Sequence, residues 1–384
     1  MNLFEQISNR FSRVSPLPEG THHKQAIEDG KPYRVHLRLR KDGSGVLIVN
    51  ATTVLQLNPT AAEYAFHFIK GTSPEEAAKQ VAARYRVGKK TALADFNDFV
   101  DRIQTLISTP DLDPVSYLGF ERAAPHTAGL AAPLRLDCAL TYRLPEFTKT
   151  DYAPVKRVER ELTTEEWQFI MDKAWQVGIP HIVFTGGEPT LREDLPALIA
   201  HAEKVGQVCG LLTDGLKLAD KAYLNKLLQT GLDHVMLILQ ADEPRAWKAI
   251  ETIVPEDLFI TVHLTINKQN LGNAEDILQR IAGTGVRNVS LSTSDPDLLD
   301  EMLELQNLAN TLQLTLRWDL PVPYSASHPV AMEALQDETP SGAGRAWLYV
   351  EPDGDVLPTQ GQSQSILGNF LRDDWNNISA KLTK

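Results

Sequence analysis

From residue 131 to about 320, short apolar runs at 134–140, 181–185, 208–213, 233–239, 259–266, 287–292 and 313–319 alternate with amphipathic stretches near 163–178, 190–205, 218–230, 244–253, 273–284 and 297–311. Alternation of this kind predicts parallel strands joined by right-handed helical crossovers. Six or so such units make a partial or full (β/α) barrel, with its sites at the C-terminal ends of the strands. The first helix opens on a capping box, Thr163 with Glu166, and lines one face with Trp167, Ile170, Met171, Ala174 and Trp175.

The flanking regions have other textures. Residues 1–30 read as an arm: Leu3, Phe4, Ile7, Phe11 and Val14 share one helical face, and a polar stretch containing His22 and His23 follows. Over residues 31–110, RVHLRLRKDGSGVLIVN alternates across a DGSG turn and predicts a hairpin. Three helices follow it. Asn58 caps the first, with Pro59 in its first turn and Gly71 at its end. Ser73, Pro74 and Glu76 start the second, and Phe96, Phe99, Val100, Ile103 and Leu106 line the third. A hairpin with three helices predicts a winged-helix-like module. Residues 111–130 are broken by Pro and Gly and read as a linker. The tail, 322–384, holds a hairpin signal in WLYVEPDGDVLPTQG and a short terminal helix.

Composition narrows the function classes. The 384 residues carry 38 Lys+Arg against 50 Asp+Glu, a net charge of -12. That balance, and helices without a row of base-reading Arg/Lys, argue against nucleic acid as a partner. No apolar run approaches a membrane span, and the N-terminal residues lack a signal-peptide core. The two cysteines, Cys138 and Cys209, cannot build a disulfide framework, so a reducing cytoplasm is the expected location. Both fall on apolar strand positions and are expected to be buried. No GxSxG, Walker A or HExxH pattern is present.

The second barrel strand ends HIVFTGGEPTLRED, placing Gly186, Gly187, Glu188 and Pro189 where strand becomes loop. Two glycines permit close backbone approach, and Glu188 offers a carboxylate to a cation. A tight βα turn needs the same residues, so the motif gains specificity from its neighbours. LRLDCALTYR, FTGGEPTLRED, LLTDGLKL, GLDHVMLIL and EPDGDVLPTQG…LGNF resemble, in order and spacing, radical SAM proteins with a SPASM/twitch-type tail, over residues 131–384. Residues 31–110 resemble the PqqD-like peptide chaperones (RiPP recognition elements), through LNPTAAEYAFHFIKG and SPEEAAKQVAARY. The fold these resemblances imply is α/β: a partial (β/α)6-type radical SAM barrel at 131–321, a winged-helix-like PqqD-type domain before it and a small hairpin–helix tail after it.

The radical SAM resemblance implies that the GGEP loop holds the amino group of S-adenosylmethionine (SAM). It also implies a four-iron four-sulfur cluster held by three cysteines spaced CxxxCxxC, whose open iron binds SAM and donates the electron that splits it. The sequence departs from that pattern. The three cysteine positions hold Leu144, Thr148 and Asp151, and the auxiliary-cluster position in the tail holds Thr359. Glu146 with Asp151 is a weak alternative for a hard cation. Asp214 stands in the TDG turn, where the family usually has asparagine. The PqqD-like resemblance implies capture of a precursor's leader peptide as an added strand.

Three functional readings follow. The first is a catalytically degenerate protein that binds or presents a precursor peptide, alone or with a cysteine-intact radical SAM homologue. The second is a SAM-binding enzyme of non-radical type. The third is a radical enzyme whose cluster is shared or unusually ligated. The sequence leaves the oligomeric state open.

Overall fold

The computed structural model describes residues 16–28, 31–50, 53–85, 87–109, 132–145, 158–293, 295–317 and 342–382. The chain divides into two compact units, Met1–Ala124 and Pro125–Lys384.

Among the described residues, the first unit is a four-stranded antiparallel meander backed by three helices. Its strands are β1 (Gly20–Glu28), β2 (Lys31–Leu39), β3 (Gly45–Val49) and β4 (Thr53–Leu57), paired in that order. The helices are α1 (Pro59–Lys70), α2 (Pro74–Tyr85) and α3 (Lys89–Ser108). Asn58 accepts a hydrogen bond from the Ala61 amide, and Gly71 closes α1 in the left-handed region at φ 64°. These are the terminal devices that free the first amides and last carbonyls of a helix from unsatisfied burial. Val35, Leu37, Leu47, Phe68 and Ile103 meet in the core. The sheet corrects two expectations. It has four strands rather than a hairpin, and residues 20–28, expected in a polar arm, form its first strand. Their polar side chains alternate between faces with no apolar stripe to reveal it. The helical face expected over residues 3–14 and the linker expected over 111–130 lie outside the described residues.

The second unit is built on seven parallel strands in sequential order: β5 (Arg135–Thr141), β6 (His181–Gly186), β7 (Val208–Thr213), β8 (His234–Ile238), β9 (Phe259–Ile266), β10 (Asn288–Thr293) and β11 (Thr315–Leu316). Six helices alternate with them: α4 (Thr164–Gln176), α5 (Leu195–Val205), α6 (Lys221–Gln229), α7 (Pro244–Ile253), α8 (Ala274–Gly283) and α9 (Leu299–Thr311). Alternate strand residues, among them Leu136, Phe184, Leu211, Leu237, Val262 and Leu264, pack against helix residues such as Trp167, Leu198 and Ile250 in one continuous core. That periodicity of two turns the intervening residues to the opposite face of the sheet. The predicted strand–helix register agrees closely with this arrangement.

The tail does not stand apart from the barrel. β12 (Trp347–Val350) pairs in parallel with β5, and β13 (Asp355–Leu357) and β14 (Gly368–Asn369) continue the same ten-stranded sheet before α10 (Trp375–Ser379). The sheet is open, with β11 and β14 as its edges among the described strands.

Candidate functional site

The GGEP loop is packed first against its own chain. Gly186 ends β6 at φ 120°, and a Cβ there would stand 2.2 Å from the carbonyl oxygen of Thr141. A Cβ on Gly187 would stand 2.2 Å from the carbonyl oxygen of Arg143. Both amides that follow are bonded to this neighbour: Gly187 N–H donates to Thr141 O at 2.7 Å and Glu188 N–H to Arg143 O at 2.8 Å. The two glycines therefore let the end of β5 and the loop after β6 lie against each other.

Glu188 points inward. It is 2% exposed. Its Oε1 accepts from the Thr190 amide at 2.9 Å and the Thr213 hydroxyl at 2.8 Å, and its Oε2 accepts from the Asp214 amide at 2.8 Å. The Glu188 carboxyl group thus ties the first turn after β6 to the C-terminal end of β7. Burial, reinforced by the neighbouring Asp214, pushes its pKa up to about 8. Asp214 is also raised by burial, while its Oδ1 accepts from the Leu216 amide at 2.9 Å. Pro189 opens the short helical turn Pro189–Leu191 and is buried.

A second network surrounds the point where the chain leaves β5. The Arg192 guanidinium donates to the Leu140 and Leu162 carbonyls at 3.2 and 3.0 Å and makes a two-pronged pair with Asp194. Thr141 bonds Glu161, and Arg143 lies 3.6 Å from the same carboxylate. Of the residues at the expected cluster-ligand positions, Leu144 is half-buried just beyond this network. Thr148 and Asp151, and Glu146 with them, lie outside the described residues.

The cysteines are elsewhere. Cys138 on β5 and Cys209 on β7 are both fully buried in the core between sheet and helices, on the face away from the sheet's interior polar residues. Burial and then Asp137 push the Cys138 thiol well above its ordinary pKa, the environment of an inert structural thiol. Thr359 in the tail is 8% exposed, and its hydroxyl accepts from the Trp347 indole at 3.4 Å.

Several polar groups escaped the motif reading. His263 is 1% exposed in mid-β9, with its Nδ1 3.0 Å from the Ser290 hydroxyl and its Nε2 3.1 Å from that of Ser292. Burial lowers its pKa to about 4, so it stays neutral. The alternation Thr261, His263, Thr265 against Val262, Leu264, Ile266 is the signal that marks it as an inward residue. His181 and His234, which open β6 and β8, bond each other at 2.7 Å. Gly210 makes room for them, since a Cβ there would stand 2.1 Å from the His234 ring.

Comparison with known proteins places this geometry. Residues 138–271 match the Radical SAM superfamily. The chain is 30% identical over 276 residues to the PqqA peptide cyclase of Streptomyces rochei, covering 60% of this chain and 70% of that one. Against the PqqA peptide cyclase of Granulibacter bethesdensis it is 31% identical over 176 residues, covering 42% of this chain and 47% of the relative, about half its length. Among solved structures, Streptococcus suis SuiB bound to S-adenosylmethionine superposes with a TM-score of 0.61 at 16% identity, covering 90% of this chain and 86% of that one. SuiB bound to its precursor peptide SuiA gives 0.59 at 14% identity, covering 92% and 88%. At these identities the structural likeness is one of fold. No helix among the described residues is long and apolar enough to cross a membrane.

Proposed function

For a chain that belongs to the radical SAM superfamily and whose relatives modify precursor peptides, we propose a binding role without radical chemistry. It captures a precursor peptide through its first unit, in the manner of a PqqD-like module, and presents it within a peptide-modification system, alone or beside a cysteine-intact relative. One observation carries this reading. A four-iron four-sulfur cluster needs soft thiolate donors, and the only two thiols in the chain are sealed in the core on the helix side of β5 and β7. Leu144 has no donor atom, and the Thr359 hydroxyl is engaged with Trp347. The residues present do not fit the cluster.

SAM binding at Gly186, Gly187, Glu188 and Pro189 is a second reading. It is supported by the position of this loop at the C-terminal edge of the sheet and by the SAM-bound relative of the same fold. The fit is partial, because the Glu188 carboxylate is taken up by three bonds from within the chain. With Glu188 so engaged, the loop's first role is to brace β5, β6 and β7.

Deletion tests the peptide role. Removing residues 1–124, the first compact unit, is expected to abolish recovery of a small precursor peptide in a pull-down from the native host while the second unit keeps a cooperative melt. Retained capture by the truncated chain would overturn the assignment. Calorimetric titration with SAM in the same preparations decides whether the loop is also a ligand site.

A further inference from the structure

A cavity of about 390 Å³ opens beyond the C-terminal end of β7 and contains none of the four GGEP residues. It is lined by Leu216, Lys217 and Ala219 of the helical turn after β7, by Asp220 and Tyr223 at the start of α6, and by Arg245 at the start of α7. Leu216, Ala219 and the Tyr223 ring supply apolar wall, while Lys217 and Arg245 are exposed cations. Small-molecule sites have this make-up, largely apolar with a few charged groups, and volumes of about 300–1,000 Å³.

Two cations share this cavity in a chain of net charge -12. Each is anchored to a backbone carbonyl: Lys217 Nζ donates to Thr190 O at 2.6 Å and Arg245 Nη2 to Leu216 O at 3.3 Å. Neutral acceptors fix the two side chains without cancelling their charge, and both keep further N–H donors for a ligand. Lys217 Nζ also stands 5.4 Å from the centre of the Tyr223 ring. The nearby acids are engaged in capping: Asp220 Oδ1 accepts from the Ala222 amide at 2.8 Å, and Glu243 Oε1 from the Arg245 amide at 3.0 Å. The Tyr223 hydroxyl is buried with no hydrogen-bond partner, so this wall is not satisfied from within the chain, and unsatisfied buried groups of this kind are rare in native structures.

We propose that this cavity binds the phosphate monoester of a small organic molecule, with its oxygens held by Lys217 and Arg245 and its organic part against Leu216 and Tyr223. Two cations on one cavity match a dianion, whereas a carboxylate would leave one of them without a counter-charge. The Arg245 guanidinium adds the planar fork that suits phosphate oxygens. The proposal rests on neither the peptide-capture reading nor the SAM reading above.

The test titrates the full-length protein with phenyl phosphate by isothermal calorimetry, with benzoate and phenol as controls for charge and ring. Phenyl phosphate is expected to bind at one site per chain, benzoate about tenfold more weakly and phenol not at all. The double variant Lys217→Gln, Arg245→Gln keeps N–H donors for the Thr190 and Leu216 carbonyls but removes both charges. It should melt as the parent does and bind phenyl phosphate about tenfold more weakly, while Lys217→Arg should bind as the parent does. If the double variant melts early, the single variant Arg245→Gln decides in its place, by weaker binding at an unchanged melt. Absence of phenyl phosphate binding, equal binding of benzoate, or unweakened binding by the neutral variants overturns the proposal. So does displacement of phenyl phosphate by saturating SAM, which would make the cavity part of a SAM site.

Discussion

Replacing Gly187 by alanine is expected to destabilise the second unit by about 3–5 kcal/mol, the sum of overpacking and two weakened backbone hydrogen bonds. The new Cβ would lie 2.2 Å from the Arg143 carbonyl oxygen and 2.8 Å from the Tyr142 carbonyl carbon. Both atoms are backbone, so no side-chain rotation relieves the clash, and the two segments must separate. Separation pulls apart the Glu188 N–H to Arg143 O and Gly187 N–H to Thr141 O bonds. Gly283 is the control. It is the last residue of α8, and nothing lies within 4 Å of a Cβ built there. Alanine at that position should leave stability unchanged or raise it by up to about 1 kcal/mol. Urea unfolding followed by circular dichroism reads both. A Gly187→Ala midpoint within error of the parent would mean that these glycines do not serve the contact between β5 and the loop.

The second large effect is a fall in stability on the alkaline side of neutrality. Glu188 binds its proton up to about pH 8 in the folded state, against an ordinary glutamate value near 4.3 in the unfolded chain. Between those values the folded state holds more protons than the unfolded one, so this group's contribution is full below about pH 4 and is lost as pH rises through 8. His36, held at about 3, and His234 and His263, at about 4, act in the opposite sense. Their folded values lie below the ordinary 6.5, so they favour folding increasingly as pH rises to 6.5 and add nothing above it. Below 6.5 the three histidines outweigh one glutamate. From 6.5 to 8 the buried pair of Glu188 and Asp214, both raised by burial, acts without their opposition, with a slope of at most about 1.4 kcal/mol per pH unit for each proton. Stability is therefore expected to peak near pH 6.5 and fall toward 8. Glu188→Gln removes one titrating group of that pair, loses one acceptor for the Asp214 amide and should flatten that alkaline limb. Melting temperatures of parent and variant at half-unit steps from pH 5.5 to 8.5 test this. A parallel fall in both would assign the limb to other groups.

The parts of the molecule visible in the sequence are those in which apolar periodicity and burial coincide. Each barrel strand buries an alternate apolar set against the helices, as at Leu136, Cys138 and Leu140, so strand positions and the burial of Cys138 could be read directly. β1 could not, because THHKQAI alternates between two faces without alternating in hydrophobicity. Nor could the pairing of Trp347–Val350 with β5, which joins segments some two hundred residues apart and leaves no local trace. The GGEP loop was visible as a motif, but not the direction of its glutamate. Nothing in those four residues shows that Thr213 and the Asp214 amide, a strand away, take up the Glu188 carboxylate. His263 was hidden differently, since one histidine in a β-branched strand gains its meaning only when Ser290 and Ser292 of the next strand stand opposite it.

Whether this chain holds an iron–sulfur cluster turns on its donor atoms, and iron bound per chain reports it. After anaerobic reconstitution with ferrous iron and sulfide, desalting and quantification, the protein should be colourless, hold well under one iron per chain and leave SAM intact under dithionite. A brown sample with about four irons per chain that cleaves SAM to 5′-deoxyadenosine would overturn the binding role without radical chemistry.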